Sequence, residues 1–122
     1  MGSIFANRGT KCVMADEPYL TNAPLAGFRG AYSVLNCVKS EIDEKEFWHY
    51  TGLVDTLLHA RRLKVPVLIT TGTMDDICPP ETVKTLYELL PETKMFLELK
   101  DRGHGHNPEF ERIALAWAGM YA

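Results

Sequence analysis

Two loops of this chain carry the residue types of acid–base chemistry. Gly72 to Pro80, GTMDDICPP, places Asp75 and Asp76 side by side after an apolar run, and Asp101 to Pro108, DRGHGHNP, places His104 between two glycines. An imidazole acts as a general base near neutral pH when a carboxylate on its other ring nitrogen fixes the tautomer and stabilises the imidazolium. The flanking glycines allow a tight turn that leaves the ring accessible. The two loops together predict a carboxylate–histidine pair.

The segments around these loops predict parallel strands joined by helices. Val65 to Thr71, VPVLITT, is rich in β-branched residues and has no charge, which is typical of a strand buried on both faces. Pro79 and Pro80 then begin a helix, where a missing amide donor costs little. Thr93 to Lys100 predicts the next strand and Pro108 to Ala122 a terminal helix. This order is that of βαβ units, so the fold class is α/β.

The strand order also predicts where the two loops lie. In open sheets of this kind, ligands bind outside the carboxyl ends of the strands, so loops that follow neighbouring strands share one edge. We therefore expect Asp75 to lie near His104. An acid after one strand and a histidine after the next is the chain order of hydrolases arranged as nucleophile, acid and base.

The first half of the chain predicts one more strand and two helical stretches. Lys11 to Met14, KCVM, is a short strand candidate that cannot continue through Pro18. Pro24 to Val38 carries apolar residues at three- and four-residue steps, which predicts one helical face formed by Phe28, Tyr32, Leu35 and Val38. Ser40 is expected to cap a further helix, with a break at Gly52.

Length and charge limit the possible classes of protein. A chain of 122 residues is expected to form one domain, residues 1–122, with a core of its own. A composition of 46% apolar and 24% charged residues is that of an ordinary globular protein. The net charge of -3, without a basic stripe, argues against a nucleic-acid partner. No apolar run is long enough to span a bilayer, so we expect no membrane partner.

The cysteines indicate a reducing compartment. Cys12, Cys37 and Cys78 are odd in number and widely spaced, which predicts neither a disulfide framework nor a zinc site. Each is expected to fill a small buried apolar position. The start of the chain lacks the basic and apolar regions of a secretory leader, so we expect a cytoplasmic protein.

The segment RLKVPVLITTGTMDDICPPETVKTLYELLPETKMFLELKDRGHGH resembles the carboxyl-terminal part of an α/β-hydrolase of the acetyl xylan esterase and cephalosporin C deacetylase family. That family has the pattern G-x-x-D-x-x-x-P-P after its penultimate strand and a Gly-His after its last. The resemblance implies that Asp75 is the triad acid and His104 the base. Asp76 is then expected to be a cap or solvent contact, and His106 a surface residue or substrate contact. No metal or organic cofactor is implied.

The nucleophile of such a hydrolase is not visible in this sequence. These enzymes carry their serine in a G-x-S-x-G elbow. The serines here are Ser3, Ser33 and Ser40, and none has glycines two residues away on both sides. We therefore expect a carboxyl-terminal portion of an α/β-hydrolase fold, without the early strands and the elbow. Asp16 and Glu17 are expected to form a turn, with a pocket wall as the alternative.

The resemblance implies a carboxylic ester hydrolase that deacetylates short xylo-oligosaccharides or similar small esters, with a serine from outside this chain. One alternative is a truncated, non-catalytic α/β module that acts through self-association or with a missing amino-terminal half. Another is a serine hydrolase of the prolyl oligopeptidase class, which shares the acid–base order. The expected partners are a small acetylated carbohydrate or ester and either a second copy of the chain or the missing half.

Overall fold

The computed structural model describes residues 9–90 and 93–122 and contains one parallel three-stranded sheet. The strands are β1 (Val13–Asp16), β2 (Val67–Gly72) and β3 (Lys94–Leu99), in the order β1-β2-β3. Val67 pairs with Val13 on one side and with Lys94 on the other. The predicted α/β class is confirmed, and the carboxyl ends of all three strands lie along one edge of the sheet.

Six α-helices accompany the strands in the part of the chain that the structure describes. Four of them lie between β1 and β2: α1 (Ala23–Phe28), α2 (Ser33–Lys39), α3 (Glu44–Val54) and α4 (Thr56–His59), followed by a 3₁₀ turn (Ala60–Arg62). Helix α5 (Pro80–Leu89) joins β2 to β3, and α6 (Pro108–Tyr121) follows β3. None of these helices is both long and apolar enough to cross a membrane.

The central strand β2 is buried along its whole length, as the sequence predicts. It begins two residues later than expected, at Val67. Val67 and Ile69 pack against Val83 and Leu86 of α5 in one core cluster. Leu68, on the opposite face of the strand, has no exposed surface. Burial of each such aliphatic side chain contributes about 1.5–3 kcal/mol, so β2 is a rigid support for the loop at its end.

The predicted single helix over Pro24 to Val38 is wrong. The helix is interrupted between α1 and α2, where Gly30 and Tyr32 have φ angles of 80° and 55° in the left-handed region. Tyr32 leaves the helical face and becomes buried, and its hydroxyl oxygen accepts a hydrogen bond from the Thr21 N–H at 3.2 Å. Phe28, which the periodicity placed on the same apolar face, is 87% exposed.

The expected cap of the next helix is also wrong. Asp43, and not Ser40, caps the start of α3, because its carboxylate accepts hydrogen bonds from the N–H groups of Lys45 at 2.9 Å and Glu46 at 3.3 Å. The hydroxyl of Ser40 donates to the carbonyl of Cys37 instead. Besides accepting these hydrogen bonds, the negative charge of the Asp43 carboxylate interacts favourably with the positive end of the helix dipole, which a hydroxyl group cannot do.

The break after α3 falls at Asp55 and not at Gly52 as the sequence predicts. The Asp55 carboxylate is buried and accepts hydrogen bonds from the N–H groups of Asn22 at 2.9 Å, Ala23 at 2.7 Å and Leu57 at 2.8 Å. One side chain therefore caps the beginnings of both α1 and α4, which holds the segment after β1 against the helices that follow it.

The three cysteines are all free thiols but differ in burial. Cys78 is buried, as expected, whereas Cys12 is partly exposed and Cys37 is exposed. The expectation of a buried apolar role is therefore wrong for Cys37.

Gly72 ends β2 at a point where another loop presses against the backbone. A Cβ atom at Gly72 would clash with the carbonyl oxygen of Arg102 and lie 2.8 Å from its carbonyl carbon. The same carbonyl accepts a hydrogen bond from the Met74 N–H at 2.8 Å. The loop after β2 and the loop after β3 are therefore joined through their backbones.

We predict that Gly72→Ala lowers the free energy of unfolding by about 1–3 kcal/mol, because the added methyl group must push the Arg102 backbone away. Urea denaturation measures this change. Gly119→Ala is the matched control, since a Cβ at this position in α6 meets open space. The control should be as stable as the unaltered chain or more stable by up to about 1 kcal/mol. Equal stability of the two variants would contradict the packing described.

Candidate active site

Asp75 is held in a fixed orientation by the turn that follows β2. Its Oδ1 atom accepts hydrogen bonds from the N–H groups of Ile77 at 2.9 Å and Cys78 at 2.7 Å. The side chain has no exposed surface. This turn, in which an aspartate bonds to the backbone two and three residues ahead, leaves Oδ2 directed at the neighbouring loop.

His104 meets that second oxygen. Its Nδ1 atom lies 3.1 Å from Asp75 Oδ2, so the expected proximity of the two side chains is confirmed. Because the carboxylate oxygen can only accept, the ring donates from Nδ1, and Nε2 of the neutral imidazole carries the lone pair. The side chain is 33% exposed, so the ring is within reach of a substrate. This is the tautomer and the exposure that a general base requires.

A second carboxylate contacts the same ring nitrogen. Glu17 Oε2 lies 3.1 Å from His104 Nδ1 and accepts a hydrogen bond from the Gly105 N–H at 2.8 Å. The sequence predicted a turn at Asp16 and Glu17 and missed this contact. The signal that could have found it is the presence of two carboxylates at the end of β1, which reaches the same edge of the sheet as the two loops.

The carboxylates at this edge are perturbed by burial. Burial raises the pKa of Glu17 from its ordinary value, while the hydrogen bond from Gly105 opposes the rise and the charge of Asp75 adds to it. Burial likewise raises the pKa of Asp16, and the hydroxyl of Thr70, which donates to Asp16, lowers it in part. Burial therefore favours the neutral form of each of these two carboxyl groups.

Cys78 borders the pair but is not suited to be a nucleophile. Burial, and then the charges of Asp75 and Glu17, raise the pKa of its thiol to about 12. The ligand atoms of Asp75, Cys78 and His104 all lie within 4.8 Å of one another, a set that could hold a divalent metal ion. With the thiol protonated and Asp75 Oδ1 already bonded to two backbone N–H groups, the arrangement fits a hydrogen-bonded acid–base pair better.

The other residues singled out in the sequence lie apart from this pair. Asp76 is exposed and lines an open cleft of about 460 Å³ beside Asp75, which His104 does not line. His106 is exposed, and its Nδ1 atom lies 3.6 Å from Glu111 Oε1. Ser33 and Ser40 are exposed, and Ser3 lies outside the described residues.

A parallel sheet with an acid after one strand and a histidine after the next, both at its carboxyl edge, is a portion of an α/β-hydrolase. Residues 6–119 match the model of the acetyl xylan esterase family, AXE1. The chain therefore belongs to the acetyl xylan esterase family, and at a general level this is a family of carboxylic ester hydrolases.

Individual relatives agree with this assignment. The chain is 29% identical over 114 residues to the acetyl esterase Axe7A of Xylanibacter ruminicola, and the match covers 90% of this chain and 25% of that protein. It is 26% identical to acetyl xylan esterase 1 from a Thermoanaerobacterium species, with a TM-score of 0.79 over 88% of this chain and 37% of that structure.

An acetyl xylan esterase from a Paenibacillus species superposes with a TM-score of 0.85 over 92% of this chain and 38% of that structure. At 22% identity this likeness shows the fold alone. The chain thus spans a quarter of the curated relative and just over a third of each of the two solved esterases.

The raised pKa of Glu17 predicts a pH dependence of stability. Because folding raises this pKa, the contribution of Glu17 to stability is fully present below its ordinary pKa and is lost as the pH rises through the raised value. We predict that Glu17→Gln removes this loss, so that the variant gains stability relative to the unaltered chain as the pH rises from about 4 to 8. Urea denaturation at several pH values measures the difference.

Glu98→Gln, at an exposed glutamate of β3, is the control and should follow the curve of the unaltered chain. A constant difference between Glu17→Gln and the unaltered chain at every pH would show that Glu17 ionises in the folded chain as it does in the unfolded one.

Proposed function

We propose that this chain supplies the acid and the base of a serine ester hydrolase whose nucleophile lies outside the chain. The observation that carries the proposal is the hydrogen bond of 3.1 Å between His104 Nδ1 and the buried Asp75 Oδ2. It leaves Nε2 as the basic atom of a partly exposed ring at the carboxyl edge of the sheet.

The steps of the reaction follow from this arrangement. As a serine hydroxyl attacks the carbonyl carbon of an acetyl ester, Nε2 of His104 takes its proton. Asp75 stabilises the imidazolium that results. The imidazolium then gives the proton to the departing alcohol, which leaves an acetyl-serine. His104 next takes a proton from water, which attacks the acetyl-serine, and acetate leaves as the serine is protonated again.

The environment of Asp75 supports its role as the acid. Two backbone N–H groups hold one oxygen, and the side chain is closed to solvent. Water screens a buried charge less than an exposed one, so a carboxylate here acts strongly on a ring in contact with it. Its fixed orientation means that little reorganisation is needed when the ring becomes charged.

The substrate class rests on the family. The names of the family and of the relatives support an acetyl ester as the substrate, with a short xylo-oligosaccharide or a similar small alcohol as the leaving group. The exposed His104 ring, in an open loop between two glycines, is compatible with a carbohydrate ester approaching from solvent.

A second candidate is a non-catalytic module that works by association. Several large apolar side chains are exposed, namely Phe28 at 87%, Leu115 at 76%, Met74 at 67% and Leu58 at 66%. Such surfaces mark contacts with other parts of a protein or with other chains. The esterase proposal assigns them to the remainder of the hydrolase, and the module proposal assigns them to a second copy of the chain or to a complementary half.

A chimera distinguishes the two candidates. We predict that replacing the matched segment of the Paenibacillus esterase by this chain gives a protein that hydrolyses p-nitrophenyl acetate. In that chimera His104→Ala should lower kcat/KM by about 10³-fold or more, because the serine loses its base. His106→Ala is the matched control, two residues away and paired with Glu111, and should change kcat/KM by less than about threefold.

A folded chimera without activity, or equal rates for the chimera and its His104→Ala variant, would favour the module. The isolated chain gives an independent check, since without a serine at the pair the unaltered chain and its His104→Ala variant should both hydrolyse the ester at the background rate. Faster hydrolysis by the unaltered chain would show that the nucleophile lies within it.

A further inference from the structure

Glu17 reaches His104 from a different strand than Asp75 does. Its N–H donates to the carbonyl of Thr70 at 3.1 Å, so its backbone continues the pairing of β1 with β2. Its φ angle of 44° lies in the left-handed region, which is unfavourable for a residue other than glycine. Unfavourable backbone angles of this kind persist where the surroundings enforce them, and they cluster at functional sites. Here the turn carries the carboxylate to the ring.

The Glu17 carboxylate is buried and incompletely satisfied. The side chain is only 4% exposed. Oε2 accepts a hydrogen bond from the Gly105 N–H. Oε1 is buried and has no hydrogen-bond partner among residues 9–90 and 93–122. A buried carboxylate is costly unless a positive charge or hydrogen bonds compensate it. The cation that contacts it is the protonated ring of His104.

Two carboxylates contact one ring nitrogen of His104. The Nδ1 proton is hydrogen-bonded to Asp75, and Glu17 Oε2 makes an ion-pair contact at the same distance of 3.1 Å. Both carboxylates lie on the Nδ1 side of the ring, so they repel each other while the ring is neutral. When the ring is protonated, its charge attracts both.

We propose that Glu17 is a positioning residue of the acid–base pair, which stabilises the imidazolium of His104 together with Asp75 and holds the His104 loop through Gly105. The inference rests on the proposed ester hydrolysis, in which the imidazolium forms as the serine proton is transferred to His104. An interaction that strengthens at that moment lowers the barrier more than it stabilises the bound substrate.

The other titratable groups named near the ring interact with residues other than His104 or are neutral. The Asp16 carboxylate accepts the Thr70 hydroxyl, and His106 lies beside Glu111. The Cys78 thiol is held neutral by its surroundings. Within residues 9–90 and 93–122, Asp75 and Glu17 are therefore the two charged groups in direct contact with the ring.

The test measures the ratio of imidazolium to neutral imidazole of His104 at a fixed, near-neutral pH, from ring NMR shifts of the isolated chain. Glu17→Gln keeps the size of the side chain and an oxygen that can accept the hydrogen bond from the Gly105 N–H. It therefore removes the charge and retains this hydrogen bond. We expect it to lower the ratio by about threefold or more. Asp75→Asn should lower the ratio further, and the double variant should lie below either single variant.

Asp16→Asn is the matched control, since it removes a neighbouring carboxylate that bonds to Thr70 and not to the ring. It should change the ratio less than Glu17→Gln does.

A second measurement does not require a substitution at Glu17. The carboxyl carbon resonance of Glu17 should show that His104→Ala raises the pKa of Glu17, because the ring charge lowers this pKa.

A folded Glu17→Gln variant with an unchanged ratio would overturn the inference and leave Glu17 with a structural role only, through its hydrogen bond with Gly105. If Glu17→Gln does not fold, a Glu17 pKa that is unmoved in His104→Ala overturns it instead. The proposed function fails separately, since its failure would appear as an unchanged ratio in Asp75→Asn.

Discussion

The hydrogen bond between Asp75 and His104 depends on the parallel register of β2 and β3. Gly72 pairs with Leu99, so the two strands end level and their loops leave the same edge of the sheet. The carbonyl of Arg102 packs against Gly72, where a side chain would not fit. The same carbonyl accepts a hydrogen bond from the Met74 N–H. The separation of 3.1 Å between the two side chains is thus set by backbone contacts between the loops.

The Asp75 and His104 side chains differ sharply in burial, and this difference suits the roles that we propose for them. The Asp75 side chain is closed to solvent and fixed by the turn it caps, whereas a third of the His104 side chain is exposed. As the proposed acid, the buried Asp75 carboxylate would act on the ring with little screening by water. As the proposed base, the partly exposed ring of His104 would be open to a serine and an ester. The buried Glu17 adds a second charge on the same side of the ring.

The sequence predicted the features that depend on local patterns and missed those that depend on single backbone angles. The β-branched run identified β2, and the prolines after Asp75 identified the start of α5. The break at Tyr32 and the contact of Glu17 each follow from a left-handed residue that is not glycine. Periodicity gives no sign of such a turn, because tertiary packing and not propensity decides it. The contact between Asp75 and His104 was predictable because parallel strands bring successive loops to one edge.

Proton-detected ¹⁵N NMR of the histidine rings tests the central claim most directly. At a pH where His104 is neutral, the account predicts that its proton is bound to Nδ1, that the proton is shifted far downfield by the Asp75 carboxylate, and that Asp75→Asn abolishes this resonance while the fold is retained. A neutral His104 that carries its proton on Nε2, or an Nδ1 proton that is unaffected by Asp75→Asn, would contradict the account.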